Sequence, residues 1–199
     1  NIALISDAGY PLINDPGQKI VTLATSEGFN VVPVSGPSAF LNALVASGLV
    51  AQPFIFIGFL PQSHSDRVKK LKEYENYPMT MIFYEAPHRI EKCLKDCMEV
   101  FGDRKMTLAR ELTKMHEEFL RGSISEILEV INELRGEMVI VMDGNHEDKS
   151  KAIDMNTIIE MVNASVENGM STKDAIKDAA KKTGISKNRI YDAVNSNRN

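Results

Sequence analysis

Short apolar runs alternate with amphipathic stretches over most of this chain. Ile2-Ala3-Leu4-Ile5 is a continuous apolar run of the kind that buried parallel strands show. It stops at Ser6-Asp7-Ala8-Gly9 and passes Tyr10-Pro11 to Asn14-Asp15-Pro16-Gly17, where a helical pattern of about 17 to 28 begins. Asp15 is expected to accept from the first free N–H groups of that helix, with Pro16 in its first turn. Further strands are predicted at 31–34, 54–57, 79–84, 106–110, 118–121 and 138–142. Helices are predicted at 39–46, at 67–75 (exposed), and at 87–100 and 123–134. This alternation predicts an α/β fold with a sheet between helical layers.

From 143 to 154 the chain is polar and poor in apolar residues, so it reads as a linker. Beyond it the pattern is helical only. Helices at 172–182 and 187–195 flank the turn Thr183-Gly184-Ile185-Ser186, with helix-turn-helix proportions. Gly184 fits a helix stop and Ser186 an N-cap. Ile176, Ala179, Ile185, Ile190 and Val194 would form a small core. Nucleic-acid contact by the same unit is an equally open reading. The predicted organisation is 1–52 as the remainder of a first α/β domain, 53–145 as a second, and 146–199 as a linker and small helical domain.

Composition narrows the class. With 43% hydrophobic and 25% charged residues the chain is an ordinary globular one, and no apolar run reaches the length of a membrane span. Cys93 and Cys97 lie four apart in a helical pattern with no further Cys or nearby His to complete a zinc site, so buried core thiols in a reducing cytoplasm are expected and no metal. The net charge of −4 is unevenly spread: residues 1–149 hold 15 Lys+Arg against 21 Asp+Glu, and residues 150–199 hold 8 against 6. An acidic body with a basic tail permits nucleic-acid contact by the tail.

Polar groups gather at the ends of the predicted strands, where ligands bind in open α/β sheets. Asp7 and its small neighbours form one such turn, and Ser35-Gly36-Pro37-Ser38-Ala39 a second, each readable also as an ordinary strand–helix connection. Phe83-Tyr84-Glu85-Ala86-Pro87-His88-Arg89 brings an acid, an imidazole and a guanidinium to a strand exit; the bland alternative is a helix first turn with Arg89 solvated. Residues 109–118 are dense in ionisable groups of both signs, a solvated loop or an active-site loop. Arg67, Lys69, Lys70 and Lys72 read as a solvated helix face or as phosphate contacts.

SDAGYPLINDPG, SGPSAFLNAL, FIGFLP, FYEAPHRI, ARELTKMHEEFLRG and GEMVIVMDG, in this order, resemble the small-subunit ribosomal RNA methyltransferase I family of the tetrapyrrole methylase superfamily. The resemblance runs nearly continuously over residues 1–145, and the tail resembles the small helical domain at the C-terminus of many members. The chain departs in having Tyr10 where the family usually has Thr, Asn14 where it has Ser, and Ser35 where the second motif often begins with Pro. It also lacks the family's opening segment with a Pro-Ile-Gly-Asn loop, so the first domain is expected to be incomplete and the chain as written inactive.

The resemblance implies a two-domain tetrapyrrole-methylase-like α/β fold followed by an all-α domain, in a homodimer. It implies transfer of a methyl group from S-adenosylmethionine to a cytidine ribose 2′-hydroxyl in the decoding region of 16S rRNA. Asp7, Ala8, Gly9, Pro11 and Ile13 would line the cofactor, with Pro37, Ser38 and Ala39 as a second wall and Tyr84, Leu112 and Val139 near the adenosine. A ribose hydroxyl is a weak acid, so help with its proton is expected. Glu85, His88, Glu111, Lys114, His116 and Glu117 remain open as that group. Arg110 and Glu111 are expected to organise the site, with His88 and Arg89 toward RNA. A precorrin or uroporphyrinogen methylase, or a non-catalytic nucleic-acid-binding regulator with a ligand-sensing α/β part, are the rival readings.

Overall fold

A computed structural model describes residues 2–131, 134–146 and 155–196, and the chain divides into two compact units, 1–145 and 146–199. The first unit is organised by five strands: β1 (Phe54–Phe59), β2 (Thr80–Glu85), β3 (Lys105–Arg110), β4 (Glu118–Ser123) and β5 (Met138–Met142). Their order across the sheet is β1-β2-β5-β3-β4. Only β1 and β2 run parallel. β5 lies antiparallel between β2 and β3, and β3 pairs antiparallel with β4, so the sheet is mixed. β5 is buried along its whole length, which is why Met-Val-Ile-Val-Met is apolar at every position.

Side-chain alternation along these strands divides the core between two faces. On one face Met81, Phe83, Met106, Leu108, Ile140 and Met142 pack against helices α3 (His64–Lys72), α4 (Ile90–Phe101) and α5 (Ile124–Val130). On the other, Ile82, Ala109, Val139 and Val141 meet Ala43 and Leu44 of α2 (Ala39–Ala46). Cys93 and Cys97 are both fully buried in the first of these layers. Burial and the bond to Cys97 hold the Cys93 thiol well above the usual thiol range, the bond being the larger cause.

Several local expectations are corrected. Residues 2–5 and 31–34 are not strands; among the described residues no ladder partner serves their N–H and C=O groups, and an apolar run without a partner has no sheet to join. The helix between them, α1 (Gln18–Ser26), buries no residue. It is entered through Gly17 at φ 128°, a conformation open to glycine, and Asp15 does not cap it. The exposed helix expected over 67–75 is α3, which starts earlier, at His64. It is capped by Ser63 Oγ accepting from the Asp66 N–H (3.2 Å), and it buries Arg67, Val68 and Leu71.

Arg67 is therefore neither solvated nor a phosphate contact. Its Nε reaches Asp96 Oδ2 on α4 at 2.6 Å, and its Nη1 donates to the carbonyls of Pro61 and Gln62. α5 begins with a full capping box, Ser123 with Glu126, and α4 stops at Gly102 with φ 72°.

The second unit contains α6 (Met155–Glu167), α7 (Thr172–Thr183) and α8 (Lys187–Ser196). Ser171 caps α7 and Gly184, at φ 74°, ends it. The Arg189 N–H donates to Ser186 Oγ at 3.4 Å, which starts α8. Ile176, Ala179, Ile185, Ile190 and Val194 are buried with Ile158, Ile159 and Val162, so the five residues picked from periodicity are core. Among the described residues no helix is long and apolar enough to cross a membrane.

Candidate cofactor and substrate site

The turns 6–17 and 35–38, far apart in sequence, are joined in the fold. The Gly36 N–H donates to the Tyr10 hydroxyl at 2.9 Å, and a Cβ on Gly9 would lie 3.7 Å from the Pro37 carbonyl oxygen. Within the first turn Ser6 Oγ donates to the Ala8 and Gly9 carbonyls. Leu12 and Asn14 hold φ values of 75° and 60°, left-handed conformations uncommon for residues with a side chain, Asn being the more tolerant. Asn14 lies against Gly58, where β1 bulges; a Cβ there would sit 2.7 Å from Asn14 Nδ2. Tyr10 and Asn14, two of the positions at which this chain departs from the family pattern, are thus the side chains that tie the first turn to its neighbours.

Around this junction Asp7, Ala8 and Gly9 are exposed and Pro11 is half-buried, while Ile13 remains 43% exposed. Pro37 and Ala39 are also exposed. Ser38, the residue before α2, places its hydroxyl oxygen out of solvent with no hydrogen-bond partner. A buried hydroxyl without a partner is costly. A polar ligand edge would satisfy it.

From α2 an aromatic chain leads across the sheet. Phe40 stacks on Phe56 (4.4 Å between centroids), and Tyr84 meets Phe56 and Phe59 edge-on at 5.0 and 5.6 Å. Burial raises the Tyr84 phenol above its ordinary range, against the opposing bond to the Phe40 backbone. Leu112 and Val139 pack into the same cluster. Tyr84, Leu112 and Val139 therefore share one face of the sheet with the helix that follows Ser38.

Glu85 and Arg89 lie differently from the expectation. Glu85 is 2% exposed; its Oε1 accepts from the Ala86 N–H at 2.8 Å. Arg89 Nη2 donates to the carbonyls of Leu60 and Pro61 (2.9 and 3.2 Å) and to Glu85 Oε2 (3.3 Å). Arg89 Nε lies 3.1 Å from Glu85 Oε1 without the alignment of a hydrogen bond, so that contact is coulombic. The pair clamps the β1–α3 connection. Arg89 is not freely solvated, because its guanidinium is engaged by backbone carbonyls and a buried carboxylate. His88 alone of this motif's ionisable groups is exposed.

The loop 111–117 carries the second polar cluster. Arg110 Nε meets Glu118 Oε2 at 2.5 Å, and Arg110 Nη1 donates to the Arg135 carbonyl at 3.3 Å. Glu111 Oε1 accepts from Lys114 Nζ (3.1 Å) and from the Glu137 N–H (3.0 Å). Lys114 also reaches Glu137 Oε2 at 3.1 Å, and Glu117 Oε2 accepts from the Thr113 N–H at 2.6 Å. Lys114, then the Glu137 amide, hold the Glu111 carboxyl below the usual carboxylate range. Glu111 and Thr113 both have positive φ, 49° and 66°.

Gly136 makes the approach feasible, since a Cβ there would overlap the Glu111 carboxylate. Arg110, Glu111, His116, Arg135 and Gly136 line a pocket of about 260 Å³. Arg135 and Gly136 escape a reading of the sequence alone. A glycine in a polar stretch before the last strand is the available signal.

His64, Asp96 and Glu99 bring possible metal-ligand atoms within 4.8 Å of one another. Asp96 is already bound by the Arg67 guanidinium, whose charge opposes a cation.

The tetrapyrrole (corrin/porphyrin) methylase family model matches residues 1–128, so fold and matched segment define a methylase of that type. The crystal structure of the methyltransferase CobJ superposes with a TM-score of 0.51 over 69% of this chain and 62% of that one, at 18% identity, a likeness of fold. The chain is 43% identical over 199 residues to ribosomal RNA small subunit methyltransferase I of Bacillus subtilis (strain 168), and spans 68% of that protein's length. It is 40% identical over 195 residues to the protein of that name from Halalkalibacterium halodurans, again over 68% of its length. The chain belongs to the ribosomal RNA small subunit methyltransferase I family.

Proposed function

We propose that this protein methylates the ribose 2′-hydroxyl of a cytidine in the decoding region of 16S rRNA, as a cytoplasmic homodimer, with S-adenosylmethionine as cofactor. The observation that carries the cofactor part is the unpartnered, buried Ser38 hydroxyl between the joined turns and the aromatic face. Pro37, Ser38 and Ala39 form one wall of the cofactor site, and Asp7, Ala8, Gly9, Pro11 and Ile13 the other. Tyr84, Leu112 and Val139 supply the apolar floor. In this reading residues 1–52 and 53–145 act as two domains that share the cleft. The rRNA part rests on kinship with proteins of that name.

S-adenosylmethionine supplies an already activated sulfonium methyl group, so alignment is the main demand on the protein. The strained turn at 12–14, pinned by Tyr10 and by Asn14 against Gly58, holds the cofactor wall rigid. Leu112 ties the aromatic floor to Glu111, so the polar pocket opens beside the floor. There Glu111, kept ionised by Lys114, is a positioning group that locks the loop onto Glu137. His116, on the pocket wall, is the group we place nearest the ribose proton. Glu85 and Arg89 position the connection after β1 and touch no substrate.

The test is transfer of labelled methyl to unmodified small ribosomal subunits, and separately to a tetrapyrrole, by the protein with the family's opening segment in place, with the rRNA nucleosides then separated by mass spectrometry. Label in 2′-O-methylcytidine is expected, and Ser38→Ala should weaken cofactor binding about three- to tenfold, the range of one neutral hydrogen bond. Label on a tetrapyrrole, or in a methylated base, would overturn the assignment.

A further inference from the structure

One strongly charged surface lies outside the site described above. Lys173, Lys177 and Lys181 follow one another at four-residue spacing on α7, so they form a single stripe along its exposed side. Lys187, at the start of α8, extends the stripe across the turn. Lys177, Ala180, Lys181, Ile185, Ser186 and Lys187 line an open groove of about 430 Å³.

The acids on α7 do not neutralise it. Asp174 takes part in the cap, with Ser171 Oγ 2.6 Å from its Oδ2, and Asp178 pairs with Lys182 at 2.7 Å. Among the described residues no carboxylate pairs with Lys177, Lys181 or Lys187. A bland reading exists for Lys181, since a cation in the last turn of a helix is favourable. It does not serve Lys177, in the middle of α7, or Lys187, where a helix begins.

We propose that this groove and its lysine stripe hold the phosphodiester backbone of RNA, an inference that rests on the rRNA reading for its natural partner. The argument is charge complementarity. Residues 1–149 carry a net charge of −6 (15 basic against 21 acidic), which repels a polyanion, while residues 150–199 carry +2 (8 against 6). The groove concentrates that excess on one face.

In a DNA-reading helix-turn-helix the second helix enters the major groove and reads base edges. Here the second helix, α8, exposes Asn188, Arg189, Tyr191, Asp192 and Asn195, a mixed surface. Lys177 and Lys181 sit on the first helix, and Lys187 is the first residue of the second, beside the turn. Such an arrangement fits contact with phosphates, which sets position without reading sequence.

The variant Lys177→Gln/Lys181→Gln/Lys187→Gln removes three exposed charges and leaves the buried core of the unit intact. Its affinity for a fluorescein-labelled RNA hairpin, measured between about 50 and 200 mM salt, should fall by about tenfold or more at the low end. The slope of log affinity against log salt should shrink by roughly 2 to 3, near one for each phosphate that is no longer neutralised. The triple arginine variant should retain both, and a helical circular dichroism spectrum guards against misfolding.

Unchanged affinity and slope in the glutamine variant, or an equal loss in the arginine variant, would overturn the proposal. The two readings fail separately. Methyl transfer to rRNA with an unaltered salt slope sinks the groove and keeps the enzyme; a lost slope in a protein that methylates no rRNA keeps the groove and sinks the enzyme.

Discussion

The residues with chemistry to offer are sorted here by what they already hold. Glu85 accepts a backbone N–H in a site closed to solvent, and Glu111 is engaged by Lys114 and the Glu137 amide, so both carboxylates already hold partners. Ser38 is the reverse case, a buried hydroxyl that holds nothing. Glu111 gives a test with a definite sign. Its folded pKa lies below the ordinary value near ~4.3, so its tie contributes above that value and is lost as pH falls through the lower, folded one. The Glu137 amide proton resonance should shift with a midpoint below about 4.3, and in Glu111→Gln the amplitude of that transition should fall. A midpoint at or above the ordinary value would show that the Lys114 contact does not govern this loop. Lys114 titrates in the opposite sense, raised first by Glu137 and then by Glu111, so it stays charged throughout that range.

At the scale of elements, α3 and α4 are joined by a buried ion pair. Arg67 and Asp96 are 3% and 6% exposed, and His64 Nδ1 adds a contact to Asp96 Oδ1 at 2.9 Å. Asp96→Ala strands the guanidinium in a dry layer, for an expected loss of about 3–5 kcal/mol, read as a fall in midpoint in urea. The double change Arg67→Met/Asp96→Leu should lose much less, because no charge is left unpaired. A single variant within about 1 kcal/mol of the parent would mean that water reaches the pair.

Sequence periodicity puts Arg67 on a solvated face. It starts the helix at Arg67, whereas Ser63 caps it at His64, and α4 supplies an acid that no local pattern announces. The apolar runs 2–5 and 31–34 show the same limit from the other side, since strand propensity is realised only when another backbone completes the ladder.

At the scale of the molecule, each unit has its own hydrophobic core, that of the first divided between the two faces of its sheet. Ile190 is fully buried in the second. Ile190→Ala should cost that unit about 2–5 kcal/mol. Amide exchange should then speed up in α6 to α8 and stay unchanged in β2 and β5; acceleration in both units would show that their stabilities are coupled. The division of charge follows that of structure, with the acidic α/β unit carrying the candidate site and the basic helical unit carrying the lysine groove.

Much of this was decided locally and is therefore readable from the chain alone. The strand–helix alternation from β1 onward, the caps at Gly184 and Ser186, the five core residues of the last two helices and the buried cysteines follow from periodicity and turn chemistry, which act over a few residues. The motifs also sufficed to place the family. The tertiary structure decided what depends on distant partners: that the sheet is mixed, that Tyr10 joins Gly36, that Arg67 finds Asp96, and that Glu85 and Arg89 form a closed clamp. It also brought Arg135 and Gly136 against Glu111. Each of these is a contact between groups set apart along the chain, and hydrogen bonding and burial there depend on chain geometry that no local window of sequence contains.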